Sequence, residues 1–220
     1  GKKKTVEFES QSFARHSSVL APSLETLLKD NHVSLRDIDV LAVGLGPGSF
    51  TGLRVGITTA KIFGYICQMK IVGVSSLEAM AWEAADFEGE IAVILDAKKE
   101  KLYAGFFQIK NNLLKVIQRP KLVKIKALLK GAKVPRVFLG GGVKIYRERI
   151  LNAKNCSIAD NAESAYPKAS NIARQAVPLI EKKEFLDPFT MEPLYLHPRD
   201  CNVTAPLTYL PAGRQARAKR

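Results

Sequence analysis

Gly44-Leu45-Gly46-Pro47-Gly48-Ser49-Phe50-Thr51-Gly52-Leu53-Arg54-Val55-Gly56-Ile57 follows directly on the apolar run Val40-Leu41-Ala42-Val43. The whole stretch reads as a strand, a glycine-rich turn and a helix N-terminus in immediate succession. Gly46 and Gly48 can take backbone angles closed to other residues, and Pro47 stiffens the turn between them. Ser49 or Thr51 suits the N-cap, which leaves the first free N–H groups of the helix facing the loop. Such a terminus can hold an anion. Gly46, Gly48, Ser49 and Thr51 are therefore the candidate phosphate or nucleotide loop. It is not a Walker loop, because no Lys-Ser or Lys-Thr follows the glycines at the required distance. The same residues also suit a tight strand-to-helix turn with no ligand.

The helical pattern continues without proline from Phe50 to Gln68. Gly52, Gly56, Ala60 and Gly64 recur every fourth residue and form one ridge. Each glycine inside a helix costs about 1 kcal/mol relative to alanine, and close backbone approach to another element is the usual compensation. Leu53, Val55, Ile57, Ile62 and Ile66 occupy other faces, so the helix is apolar over most of its circumference. That pattern belongs to a helix covered on more than one side. Its cover is either its own domain throughout, or its sheet on one side and a partner protein on the other.

Outward from this unit the order alternates. Thr5–Ser10 reads as a short strand, His16–Lys29 as a helix with Pro22 in its first turns, and Ile38–Gly44 as a buried strand. Ile71–Val74 reads as a strand, with Ser75 capping a helix to about Ala85. Ile91–Asp96 is a further strand. Lys101–Lys110 and Leu113–Gln118 flank Asn111-Asn112, which predicts a hairpin. Leu122–Lys130 reads as a short amphipathic helix, and Arg136–Leu139 as a strand ending in Gly140-Gly141-Gly142. Tyr146–Leu151 and Ala169–Glu181 read as helices, the second shortened or kinked by Pro178. Alternating strands and helices predict an α/β fold with a largely parallel sheet. Asp96 ends a buried strand and reads as a turn or cap residue. The three glycines at 140–142 suit either a strand end or a close approach to a nucleoside.

At 220 residues the chain can bury one large core or two small ones. No stretch approaches membrane-span length, and the N-terminal lysines precede no apolar signal core. Three widely separated cysteines, Cys67, Cys156 and Cys201, argue for a reducing compartment and against a disulfide framework or a zinc site. His16, His32 and His197 are equally scattered.

Gly44 to Lys61, continued by Ile71-Val72-Gly73-Val74-Ser75-Ser76-Leu77-Glu78-Ala79, resembles the TsaB (YeaZ) family. Weaker similarities at Asp96–Ala104, Phe138–Gly142 and Pro193–Leu196 extend the likeness from about Arg15 to Asp200. The resemblance implies an actin-like, sugar-kinase-like (ASKHA) α/β fold of two related halves. Residues 1–98 would form the N-terminal half, 99–205 the C-terminal half, and 206–220 a basic disordered tail. The family opens with a strand ending in an Asp-Thr-Ser-like turn and then a second strand. Thr5-Val6-Glu7-Phe8 resembles the third, so the first strands and first phosphate turn are expected to be missing.

The paralogue TsaD carries two metal-binding His four residues apart in the segment similar to Val74–Met80. A helix turn brings such a pair onto one face. Ser76 and Met80 stand there in this sequence. The resemblance thus implies no catalytic residue, metal or cofactor. It implies a cytoplasmic scaffold that binds and activates TsaD in tRNA threonylcarbamoyladenosine synthesis. In isolation it would be a homodimer, and the ATPase subunit TsaE would join the full complex. In the family, the helices resembling His16–Lys29 and Phe50–Gln68 pack against the same pair in a partner. Gly52, Val55, Gly56, Thr59, Ala60, Phe63 and Gly64 are the implied partner interface. The alternative is an ATP-binding kinase or ATPase of actin-like fold that uses the glycine loops, and nucleotide turnover separates the two.

Formal net charge is +13 and unevenly placed: nine Lys or Arg and one acid, Glu148, lie between Lys121 and Arg149. Such a stretch suits a phosphate backbone, so tRNA contact is a further expectation. It is also what ordinary solvated faces look like. Phe138 and Tyr146 are its only aromatics, too few to stack bases along it.

Overall fold

The computed structural model describes residues 5–9, 16–130 and 132–196. The expected tail at 206–220, Cys201 and His197 lie outside them. Two sheets organise the chain. The first pairs β1 (Val40–Gly46) with β2 (Lys70–Ser75) in parallel, Val40 opposite Lys70 and Gly44 opposite Val74. Strand alternation sends Leu41, Val43 and Leu45 to one face and Val40 and Ala42 to the other. Each face is covered by a helix. Helix α2 (Phe50–Ile66) closes the first with Ile57 and Ala60, which pack with Leu45, Ile71 and Met191. The other face is closed by Ile172 and Ala176, against Val72, Val74 and Ala79. They belong to the last helix, Ala169–Glu181, in which Pro178 is accommodated without ending the helix. Helix α1 (His16–Asp30) packs beside α2.

The second sheet has five strands. In chain order they are β3 (Glu90–Asp96), β4 (Leu102–Lys110), β5 (Leu113–Val123), β6 (Arg136–Leu139) and β7 (Cys156–Ile158). Their order in space is β5-β4-β3-β6-β7. The expectation of a largely parallel arrangement is corrected here. β3–β4 and β4–β5 are antiparallel, and only β3–β6 and β6–β7 run parallel. Two-residue and five-residue turns leave no room for the crossover that parallel neighbours need. Asn111 and Asn112 form the predicted hairpin turn, both with positive φ (51° and 58°), as a type I′ turn requires. Residues 98 and 99, the expected half boundary, lie in the turn between β3 and β4.

Helix α3 (Ser76–Ala81) joins the two sheets, packing on the last helix and on β3 and β4. The largest core gathers around it and the second sheet, with Leu77, Ile94, Phe107 and Phe138 fully buried. Each such side chain contributes roughly 1.5–3 kcal/mol. Helix α4 (Ile125–Leu129) links β5 to β6, and α5 (Val143–Leu151) links β6 to β7. The last helix is therefore α6.

Three further expectations are corrected. Residues 5–9 form no strand. Instead the Glu7 carboxylate accepts from the Ser170 N–H at 2.9 Å and from its hydroxyl at 3.0 Å, capping the start of α6. The helix expected from Leu122 is shortened to α4, because β5 runs on to Val123 against Leu102. The helix expected to reach Ala85 is α helical only to Ala81 and finishes as a 3-10 turn, Trp82–Ala84.

Candidate functional site at the glycine-rich loop

The loop sits where β1 ends, beside the C-terminal end of β2, the edge at which open α/β sheets hold ligands. Gly46 has φ +102°, a conformation that favours glycine. A Cβ there would also sit 2.9 Å from Leu53 Cδ1. The Gly46–Pro47 peptide is cis. Gly48, Ser49 and Thr51 are exposed, and Ser49 is the N-cap of α2, accepting from the Gly52 N–H at 3.3 Å. The structure thus brings the four candidate loop residues together.

Two tethers fix the loop that the local sequence does not announce. The Gly46 N–H donates to Ser76 Oγ at 3.2 Å, across thirty residues. Leu45 O accepts from the Leu194 N–H at 2.7 Å, so the segment Met191–Tyr195 crosses the strand end. Tyr195 lies 6.3 Å from the Phe50 ring, and the Arg54 guanidinium covers that ring at 3.9 Å. Arg54, the basic side chain nearest the loop in sequence, is held over an aromatic face.

Ser76 and Met80, the positions similar to the paralogue's metal ligands, both turn inward. Ser76 is 5% exposed and tied to Gly46, and Met80 is 1% exposed within the main core. Among the described residues no three His, Cys, Asp or Glu side chains gather as a metal would require. Ser75 Oγ is buried, with no partner among the described residues, and makes no cap bond to α3.

The small-residue ridge of α2 divides. A Cβ at Gly64 would collide with Ile71 Cδ1 and lie 3.1 Å from Pro188 Cβ, and Ala60 is 2% exposed. A Cβ at Gly56 meets nothing within 4 Å, and one at Gly52 touches only Ser49. An i, i+4 row is inclined to the helix axis and turns by about 40° per step. The row therefore swings from half-buried Gly52 and Gly56, with free space at Gly56, onto the sheet at Ala60 and Gly64. Val55, Thr59 and Phe63 are half-buried, whereas Ile62, Tyr65 and Ile66 are exposed.

The other sequence candidates have structural work. Asp96 accepts from the Lys98 N–H at 2.9 Å and pairs with its ammonium at 2.8 Å, which holds the carboxyl below its usual range. It is a turn residue, as expected. Gly140, with φ +103°, and Gly142 both press against Ile94 O, and Gly142 N–H bonds it at 3.0 Å. These glycines let β6 end against β3. Glu78 is a residue that the sequence reading passes over. It lines a cleft of about 120 Å³ with Val74, Leu114, Val116, Gln175 and Leu179. Burial pushes its carboxyl above the ordinary value, and Arg119 pulls the other way. A lone Glu on a short helix gives no signal of this in sequence.

Two sheets joined by helices, with a glycine loop at the strand ends, make an α/β protein, and the family that residues 10–186 match gives its class as ASKHA-type. The family model for TsaD: tRNA N6-adenosine threonylcarbamoyltransferase matches residues 10–186. YeaZ from Pseudomonas aeruginosa shares the fold, with TM-score 0.72 at 24% identity over 82% of this chain and 85% of that one. The Bacillus subtilis (strain 168) tRNA threonylcarbamoyladenosine biosynthesis protein TsaB is 33% identical over 82% of this chain and 79% of its own length. Its Buchnera aphidicola counterpart is 29% identical over 78% and 82%. The chain belongs to the TsaB (YeaZ) family.

Proposed function

We propose that this chain serves tRNA threonylcarbamoyladenosine synthesis as a non-catalytic subunit that binds and activates a TsaD-type transferase. The observation that carries the reading is α2. Its N-terminal half presents a half-buried face of Gly52, Val55, Gly56, Thr59 and Phe63, in which a Cβ at Gly56 would meet nothing within 4 Å. Small residues on a helix surface let a second helix approach to the near end of the usual range of about 8–10 Å. Ala60 and Gly64 meanwhile seat the same helix on its own sheet. Ser76 and Met80, both committed to the interior, support a non-catalytic role. In isolation the open face pairs two copies of the chain, and TsaD replaces one of them. An ATPase subunit of the TsaE kind joins the assembled pair.

Gly56→Leu tests the reading through co-purification with a co-expressed TsaD subunit and thermal melting. The expected result is a melting temperature no lower than the parent's with association lost. Lost stability with association intact would return this face to the interior of the subunit and remove the argument.

A further inference from the structure

Charge divides between the two parts of the chain. Residues 16–100 hold seven Lys or Arg against eleven Asp or Glu, whereas residues 101–159 hold fourteen against one. Among the described residues two of the fourteen form ion pairs with an acid, and Arg119 lies near enough to Glu78 to act on its carboxyl. Arg136 is buried, bonded to Glu90 at 2.9 Å and to Leu128 O at 2.7 Å, and Arg147 pairs with Glu163 at 3.0 Å. Lys124, Lys126 and Lys130 on and beside α4, Lys133 after it, and Lys144 and Arg149 on α5 are all exposed.

Topology gathers these six. β5, β6 and β7 run in the same direction and lie in that order across the sheet. The connections through α4 and α5 therefore step the same way. Right-handed crossovers stepping the same way lie on one face. Clustered cations on one face sum to a potential that a scattered set would not produce. Lysines on the open edge of β5, such as Lys115 and Lys121, have a separate use in blunting that edge against strand pairing. A helix has no such edge, so that use does not account for the cations of α4 and α5.

We infer that the α4–α5 face is a docking surface for the phosphate backbone of an RNA. That the RNA is tRNA rests on the function proposed above. Tyr146, half-buried under the Arg149 guanidinium at 5.8 Å, is the aromatic of this face. Contact is thus to phosphates and not to stacked bases. The probe is unfractionated tRNA, with binding to the full chain measured by anisotropy across a salt series. Affinity should fall with salt, each neutralised phosphate adding about 0.9 to the logarithmic slope.

The variant Lys126→Ala/Lys130→Ala/Lys144→Ala should bind tRNA at least about tenfold more weakly, with the slope reduced by about two to three. Its melting temperature and TsaD association should match the parent. Arg36→Ala/Lys70→Ala/Lys182→Ala, which leaves that face intact, should bind tRNA as the parent does. Equal binding by the α4–α5 variant, or no salt-dependent binding by the parent, overturns the inference and leaves the subunit reading standing. Loss of TsaD association with tRNA binding kept makes the face a protein site, and overturns it too. Failure of the parent to associate with TsaD defeats the subunit reading alone.

Discussion

Glu78 carries the clearest conflict between chemistry and position among the acidic residues of the fold's interior. It projects from α3 into a cleft lined largely by aliphatic side chains, and burial there disfavours its charged form. The folded chain therefore holds the Glu78 proton more tightly than the unfolded chain does. The associated stability is fully present below the ordinary carboxylate value and is lost as pH rises through the raised one. Glu78→Gln keeps the shape and removes the charge. It should melt with the parent at about pH 4 and above it at about pH 7. A variant that melts lower than the parent at neutral pH would mean that Arg119 holds the carboxylate in place and burial does not penalise it.

At the scale of elements, α2 makes the most specific demand on its residues. Gly64 faces Ile71, which is fully buried and cannot move aside cheaply. Gly64→Ala should cost about 1–3 kcal/mol in chemical denaturation, as overpacking does. Gly56→Ala adds a methyl to open space in a helix interior, and should stabilise by up to about 1 kcal/mol. Equal effects at the two sites would mean that the ridge does not divide. The ridge itself was legible in sequence because a spacing of four is a local property. Its division was not, since it depends on where a sheet lies beneath the helix. The same distinction separates the Asn111-Asn112 hairpin, which two adjacent residues specify, from the Ser76 tether to Gly46, which needs a contact across the fold. Cys156–Ile158 gives no alternation to read in three residues, and becomes a strand because β6 offers an edge to it. Thr5–Phe8 has strand-like composition but pairs with no strand among the described residues, and Glu7 is drawn to the start of α6.

In the whole molecule, the loop that first identified the fold is braced from three directions. Ser76 holds Gly46, Met191–Tyr195 crosses the end of β1, and Arg54 lies over Phe50. The glycine-turn-helix unit was readable because its residues are contiguous. That it is braced by residues far along the chain was not. A nucleotide at this loop would find the α2 N-terminus, whose Ser49 hydroxyl is already committed to the Gly52 N–H. A helix terminus is equivalent to only about half a unit charge and acts over a single turn. ATP carries several negative charges and ordinarily requires a lysine or a metal at its phosphates. The loop residues include no lysine, and Arg54 would have to leave its aromatic contact to supply a cation. ATP should therefore bind this chain only weakly, with little heat in calorimetry at micromolar concentrations. Phe50→Ala, which releases Arg54, should leave binding weak if one terminus cannot hold a triphosphate. A low-micromolar dissociation constant for the parent chain would instead make the braced loop a preorganised nucleotide site, and would favour the ATP-binding enzyme over the scaffold.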